Sequence, residues 1–113
     1  MMMREQGGTI EMLPEHIHTK NRKIIDHYGL DHQLLKLTEE CGELIQIISK
    51  YFEAREEGLR AKMGRAEQDL KMEMADVAVL FDRIKERIHF TDEELHAMAD
   101  YKIDRQIGRM KAL

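Results

Sequence analysis

Two stretches of this 113-residue chain repeat their apolar residues with the period of an α-helix, and each also carries acids where apolar side chains belong. The first stretch, about residues 31–53, has its apolar positions at Leu34, Leu37, Cys41, Leu44, Ile45, Ile48 and Phe52. The second, about residues 70–88, has them at Leu70, Met74, Val77, Leu80, Phe81, Ile84 and Ile88. Both stretches therefore predict amphipathic helices that must bury one face.

An acid pair at i, i+3 lies on or beside the apolar face of each predicted helix. At about 100° per residue, Glu40 falls inside the first apolar arc and Glu43 lies just beyond its edge. On the second helix, Glu73 lies well inside the arc and Asp76 flanks it. If the two helices pack together, four carboxylates converge, and a half-buried site cannot hold four anions without a cation.

Oxygen-only ligands favour Mg²⁺, with Mn²⁺ as a possible substitute, over zinc or copper, which prefer histidine and cysteine. Mg²⁺ in proteins is usually shared with substrate phosphates, so the acid pairs suggest phosphate chemistry. The alternative is that these acids are solvated, as most Glu-x-x-Glu pairs are. Two pairs that both intrude on apolar faces are harder to explain in that way.

Composition excludes several classes of protein. The chain has 18 Lys and Arg against 22 Asp and Glu, which argues against general nucleic-acid binding. One cysteine permits no intrachain disulfide, so we expect a cytoplasmic protein, and no apolar run is long enough to span a membrane. A few long helices in so short a chain leave apolar faces uncovered, which predicts a homodimer or homotetramer.

Breaks in the pattern predict the order of the helices. Residues 1–13 show no period and are expected to form a flexible N-terminal arm, and residues 14–113 form the folded domain. Pro14 opens a first helix that Gly29 ends, and Asp31 is a candidate N-cap for the second.

The second half of the chain predicts a loop and two further helices. Residues 54–66, which contain two glycines, are expected to form the loop, and a third helix is expected over about residues 67–89. Thr91 and Glu94 form a capping box for a fourth helix. The predicted fold is all-α, an antiparallel bundle of about four helices with an acidic metal site between the two central ones.

The acidic segments resemble a known family. Glu39-Glu40-Cys41-Gly42-Glu43 followed by Glu73-Met74-Ala75-Asp76 is similar to the paired Glu-Glu-x-x-Glu and Glu-x-x-Asp motifs of MazG-like nucleotide pyrophosphohydrolases. These belong to the all-α NTP pyrophosphatase superfamily. The resemblance covers about residues 34–84, with a longer gap between the motifs than is usual there. It implies that the metal ligands are Glu40, Glu43, Glu73 and Asp76.

The resemblance also implies an activity. Members of the family hydrolyse (deoxy)nucleoside triphosphates between the α and β phosphates, with Mg²⁺ and a metal-activated water, to a nucleoside monophosphate and pyrophosphate. Glu39 stands one turn before Glu43 and is a candidate to orient the water or accept its proton, although a solvated carboxylate is the alternative. Lys102 and Arg105 match loosely the family's phosphate-binding residues, and Lys36 is a further candidate; a solvated face is the alternative.

Two other hypotheses about the function stay open. A non-catalytic helical module that binds nucleotides or another protein would use the acids in salt bridges, and its stability would not depend on Mg²⁺. A carboxylate-bridged di-metal oxidase-type bundle needs Glu-x-x-His on two helices, and the chain has one such motif, Glu93 to His96. Cys41 lies in the apolar arc and is expected to be a buried, inert thiol.

Overall fold

A computed structural model describes residues 13–112, and every regular element in that range is an α-helix. The helices are α1 (Glu15–Tyr28), α2 (Leu30–Glu57), α3 (Arg60–Lys85) and α4 (Asp92–Lys111). The expected all-α fold with four helices is thus confirmed. Residues 1–12 of the expected N-terminal arm lie outside the described residues.

Helices α2 and α3 form a long antiparallel hairpin linked only by Gly58 and Leu59. Gly58 adopts a left-handed φ of 73°, and its N–H donates to the carbonyl of Ala54 at 3.2 Å, which ends α2. The loop predicted over residues 54–66 is therefore wrong. Most of that segment consists of strong helix formers, and Gly64 lies within α3 with open space around it.

Helix α1 packs on the open end of the hairpin, mainly against the C-terminal half of α3. Gly29, with a φ of +86°, ends α1 as predicted and leads directly into α2, which begins at Leu30. The prediction of Asp31 as an N-cap is wrong, because Gly29 is the cap residue and no side chain caps α2. The buried apolar core is small: Ile25, Ala54, Ala66, Leu80 and Ile84.

Helix α3 ends at Lys85, earlier than the predicted end near residue 89, and a turn with a left-handed His89 follows. The capping box that opens α4 is confirmed. The Glu94 N–H donates to Thr91 Oγ1 at 3.1 Å, and the Thr91 N–H donates to Glu94 Oε1 at 3.1 Å.

Much apolar surface stays uncovered in the single chain. Within the described residues, the backbone of α4 lies close to none of the other helices, and its first residue, Asp92, pairs with Lys85 at the end of α3. The radius of gyration is 17.5 Å, whereas a compact chain of 100 residues has about 13 Å. Cys41 is exposed, so its predicted burial is wrong: the apolar stripe of α2 is wider than the surface that α3 covers. No helix in the described range is long and apolar enough to cross a membrane.

Candidate metal centre

Three carboxylates from the hairpin meet midway along it. One oxygen from each of Glu40, Glu73 and Asp76 lies within 4.8 Å of the others. The antiparallel packing of α2 and α3 brings Glu40 level with the acids of α3. Glu40 and Glu73 are buried, with 7% and 8% of their surface exposed, and Asp76 is exposed. The convergence expected from helix geometry is thus present for three of the four acids.

The Glu73 carboxylate has an oxygen without a partner. Among the described residues, Glu73 Oε2 is the one fully buried side-chain oxygen or nitrogen with no hydrogen bond. A buried polar atom left unpaired costs stability, so native proteins rarely keep one without a reason. A cation at this position would satisfy the oxygen and offset the charge of its neighbours.

The pKa shifts report the same excess of negative charge. Burial raises the pKa of Glu73 to about 7, and the charges of Glu40, Glu43 and Asp76 add to the effect. Partial desolvation of its carboxyl by the neighbouring helix raises the pKa of Asp76 although the residue as a whole is exposed, and the charge of Glu40 adds to this. The pKa of Glu40 is lowered, chiefly by its interaction with the neighbouring carboxyl of Glu73. Without a metal, Glu73 therefore binds a proton at a higher pH than an ordinary glutamate does.

Lys36 is the basic side chain in contact with the cluster. Its Nζ lies 3.7 Å from Glu40 Oε2 and 3.5 Å from Glu39 Oε1. Those two carboxylates, Glu39 first, raise the pKa of Lys36. Because this lysine is half exposed and shared between two acids, it offsets only part of the negative charge.

The other acids predicted for the site lie at its edge. Glu43 stands one turn beyond Glu40 on α2 and is not one of the three converging carboxylates. A hydrogen bond with Glu40, and then the charge of that residue, raise the pKa of Glu43, so it adjoins the cluster. The Glu39 side chain is 65% exposed and pairs with Lys36.

Two predicted phosphate-binding residues lie far from the cluster within one chain. Lys102 and Arg105 are exposed on α4, and this part of α4 packs against no other helix among residues 13–112. The guanidinium of Arg105 lies over the ring of Tyr101, 5.5 Å from its centroid. Their assignment to phosphate binding stays a prediction that requires the α4 of another subunit or a movement of this helix.

The centre suits a hard cation such as Mg²⁺, because its donors are carboxylate oxygens and no histidine or thiol of residues 13–112 joins them. The carboxylates are also accessible from one side. A cleft of about 260 Å³ adjoins the carboxylates and is lined by Lys36, Glu40, Asp76, Val79, Leu80 and Arg83. A small phosphorylated ligand could therefore approach the acids from this cleft.

A polar network next to the cleft was not predicted from the sequence. It links Asp82 and Arg83 of α3 to His18 and Asn21 of α1 and to Gln33 of α2. Asn21 Nδ2 donates to Asp82 Oδ2 at 2.7 Å, and His18 Nδ1 contacts the other oxygen of that carboxylate. The sequence holds one indication of this network: residues 76 and 83 are two helical turns apart, so Arg83 lies on the same face of α3 as Asp76.

Compared with protein-family models, curated proteins and solved structures, the chain matches none at a significant level. The similarity to MazG-like enzymes therefore rests on two short segments, residues 39–43 and 73–76, and membership of that family stays a prediction.

Proposed function

We propose that the protein is a Mg²⁺-dependent nucleoside triphosphate pyrophosphohydrolase that cleaves the bond between the α and β phosphates. The observation that carries this proposal is the buried, unpaired oxygen of Glu73 within a convergent group of carboxylates. The resemblance to MazG-like enzymes supports the choice of substrate and of bond. The products would be a nucleoside monophosphate and pyrophosphate.

Each acid has a role in this proposal. Glu40, Glu73 and Asp76 would hold Mg²⁺, or Mn²⁺ in its place, and Glu43 would complete the ligand set. When bound, the cation would offset phosphate charge and supply an acidified water for hydrolysis. Glu39 is close enough along α2 to orient that water or accept its proton, and its exposure keeps it free to move.

We also propose that the active unit is a cytoplasmic homodimer or homotetramer. Large apolar side chains are exposed on both hairpin helices and on α4, among them Ile45 (69%), Phe52 (50%), Met74 (56%) and Met110 (65%). Exposed apolar surface of this extent is typical of interaction surfaces. A neighbouring α4 would be the element that brings Lys102 and Arg105 to the acids.

The decisive experiment measures pyrophosphate release from a panel of NTPs and dNTPs, with Mg²⁺, with Mn²⁺ and with neither. Wild type is compared with Glu73→Gln, which keeps the size of the side chain and removes its charge. We expect cation-dependent release that falls about 100-fold or more in the variant, because one metal ligand is lost. The matched control is Asp69→Asn, an exposed acid one turn earlier on α3, which should retain activity.

Other outcomes would direct the proposal elsewhere. Equal release by Glu73→Gln and wild type would contradict a role of the cluster in the chemistry. If no nucleotide is cleaved while both Mg²⁺ and a nucleotide still bind at the acids, the alternative of a nucleotide-binding module is favoured. If Mg²⁺ does not bind either, the acids are structural and the protein-interaction alternative is favoured.

A further inference from the structure

The cleft beside the acids has a second charged end. Along α3 its lining runs from Asp76 to Arg83, two turns or about 10 Å of helix. Glu40 and Lys36 line the same cleft from α2. A ligand in the cleft therefore meets carboxylates at one end and a guanidinium at the other.

Two neutral amides hold the guanidinium of Arg83. Its Nε donates to Asn21 Oδ1 at 2.9 Å and its Nη1 donates to Gln33 Oε1 at 2.5 Å. Asn21 and Gln33 are themselves buried, with 3% and 2% of their surface exposed, so they fix the orientation of the arginine. Neither partner carries a negative charge, and the adjacent carboxylate of Asp82 is already bonded to Asn21 and His18.

The arginine has donors left over for a ligand. A guanidinium has five N–H groups, and the described residues accept from two of its nitrogens, which leaves three N–H groups without a partner. Nη2 has no partner among the described residues and is not fully buried, so its two N–H groups keep access to the cleft or to solvent. Burial lowers the pKa of Arg83, as expected for a positive charge that lacks a bonded counter-ion.

We infer that Arg83 binds a phosphate group of the substrate that the acidic cluster does not hold, and that Asn21 and Gln33 are positioning residues for it. The inference rests on the proposed function in one respect, namely that the cleft takes a phosphorylated substrate with Mg²⁺. It specifies the substrate class as a molecule with two or more linked phosphates.

The test uses inorganic pyrophosphate as the probe, titrated calorimetrically in the presence of Mg²⁺. Binding to Arg83→Gln should be about 10- to 100-fold weaker than to wild type, because charge-assisted hydrogen bonds are lost. Arg83→Lys should fall between the two, since lysine keeps the charge and lacks the planar fork. Arg87→Gln is the matched control: this arginine is close by in the chain and pairs with the exposed Asp26.

A second titration, with Mn²⁺ alone, separates the arginine from the cation site. Arg83→Gln should bind Mn²⁺ as wild type does, because the carboxylates are unchanged. If Mn²⁺ binding falls in parallel with pyrophosphate binding, Arg83 only supports the structure of the centre and the inference is wrong. It is also wrong if Arg83→Gln binds pyrophosphate as tightly as wild type, or if wild type does not bind it.

A measurement on the wild-type protein covers the case in which the variants do not fold. Phenylglyoxal modifies accessible arginines, and peptide mass spectrometry identifies the modified positions. Pyrophosphate with Mg²⁺ should protect Arg83 and leave Arg87 reactive; equal modification of Arg83 with and without pyrophosphate would overturn the inference. If wild type binds pyrophosphate through Arg83 and cleaves no nucleotide, the proposed hydrolysis fails and this inference stands.

Discussion

Helix α3 carries two buried acids that differ in how they are satisfied. Glu73 and Asp82 are each 8% exposed. Asp82 accepts a hydrogen bond from Asn21 at 2.7 Å and contacts His18, whereas Glu73 keeps a buried oxygen with no partner. Burial is therefore equal at the two positions, and only the completeness of the hydrogen bonding separates a structural acid from a candidate ligand.

The difference follows from which helices cover each half of α3. Helix α1 lies along the C-terminal half and contributes the polar side chains His18 and Asn21 to Asp82. The middle of α3 faces α2, which contributes another acid, Glu40, opposite Glu73. Like charges placed opposite each other destabilise the fold, so the arrangement makes sense if a ligand compensates for it.

The largest effect on stability is expected when the carboxylate of Asp82, whose two oxygens contact Asn21 and His18, is removed. Asp82→Ala leaves buried partners of α1 unpaired and should lower the free energy of unfolding by about 2–4 kcal/mol. Urea denaturation measures the change. The control is Asp26→Asn, which removes an exposed pair with Arg87 and should cost less than about 1 kcal/mol. Similar losses in both variants would show that Asp82 stabilises the fold no more than an exposed ion pair does.

An increase in stability is expected when the charge of Glu73 is removed from the group of carboxylates. Without divalent cations, Glu73→Gln should raise Tm at pH 8 by a few degrees, because it removes a buried charge among other acids. The pKa of Glu73 is about 7 in the folded protein and its ordinary value is 4.5. The folded state thus binds the proton more tightly, and this stabilisation is lost as the pH rises from about 4.5 through 7.

Thermal unfolding at several pH values, with and without Mg²⁺, tests whether stability changes with pH in this direction. The Mg²⁺-induced rise in Tm should be larger at pH 8 than at pH 5.5, because the cation and the proton compete for the same carboxylates. Glu73→Gln should show a smaller rise at both pH values. A Mg²⁺ effect of the same size in the variant would place the cation elsewhere.

The smallest change in stability is expected at the rim of the centre. Glu39→Gln removes one exposed partner of Lys36, so the free energy of unfolding should stay within about 0.5 kcal/mol of wild type. If Glu39 orients or deprotonates the water, kcat should nevertheless fall by about 100-fold with KM nearly unchanged. An unchanged kcat would show that this glutamate is a solvated acid.

Helical geometry predicted the parts of the centre that depend on local structure. Glu40, Glu73 and Asp76 were identified because a helix fixes the direction of each side chain, and a two-helix contact then brings them together. The exposure of Cys41 and the position of α4 could not be found in this way. Both depend on how much of an apolar face its neighbours cover, and the sequence pattern records only that the face exists.

The polar network around Arg83 escaped prediction for a related reason. Asn21 and Asp82 are 61 positions apart, and their contact depends on where α1 docks on the hairpin. The periodicity of α1 shows a thin apolar stripe and gives no register against α3. The loop predicted over residues 54–66 is wrong for a different reason: Gly58 does end α2, whereas the helix formers on either side of Gly64 carry α3 through it.

The two-residue turn at the end of the hairpin limits how the number of residues between the two acidic segments can change without moving the acids apart in space. Helix α2 continues 17 residues beyond Glu40 (57 − 40), and α3 runs 16 residues before Asp76 (76 − 60), so the two arms are almost equal in length. Adding a turn to both arms lengthens the sequence between the acids and leaves them opposite each other. An insertion in one arm alone shifts the register and separates them. The long gap is thus compatible with an intact centre, and matched growth of both arms is the kind of insertion that evolution could accept here.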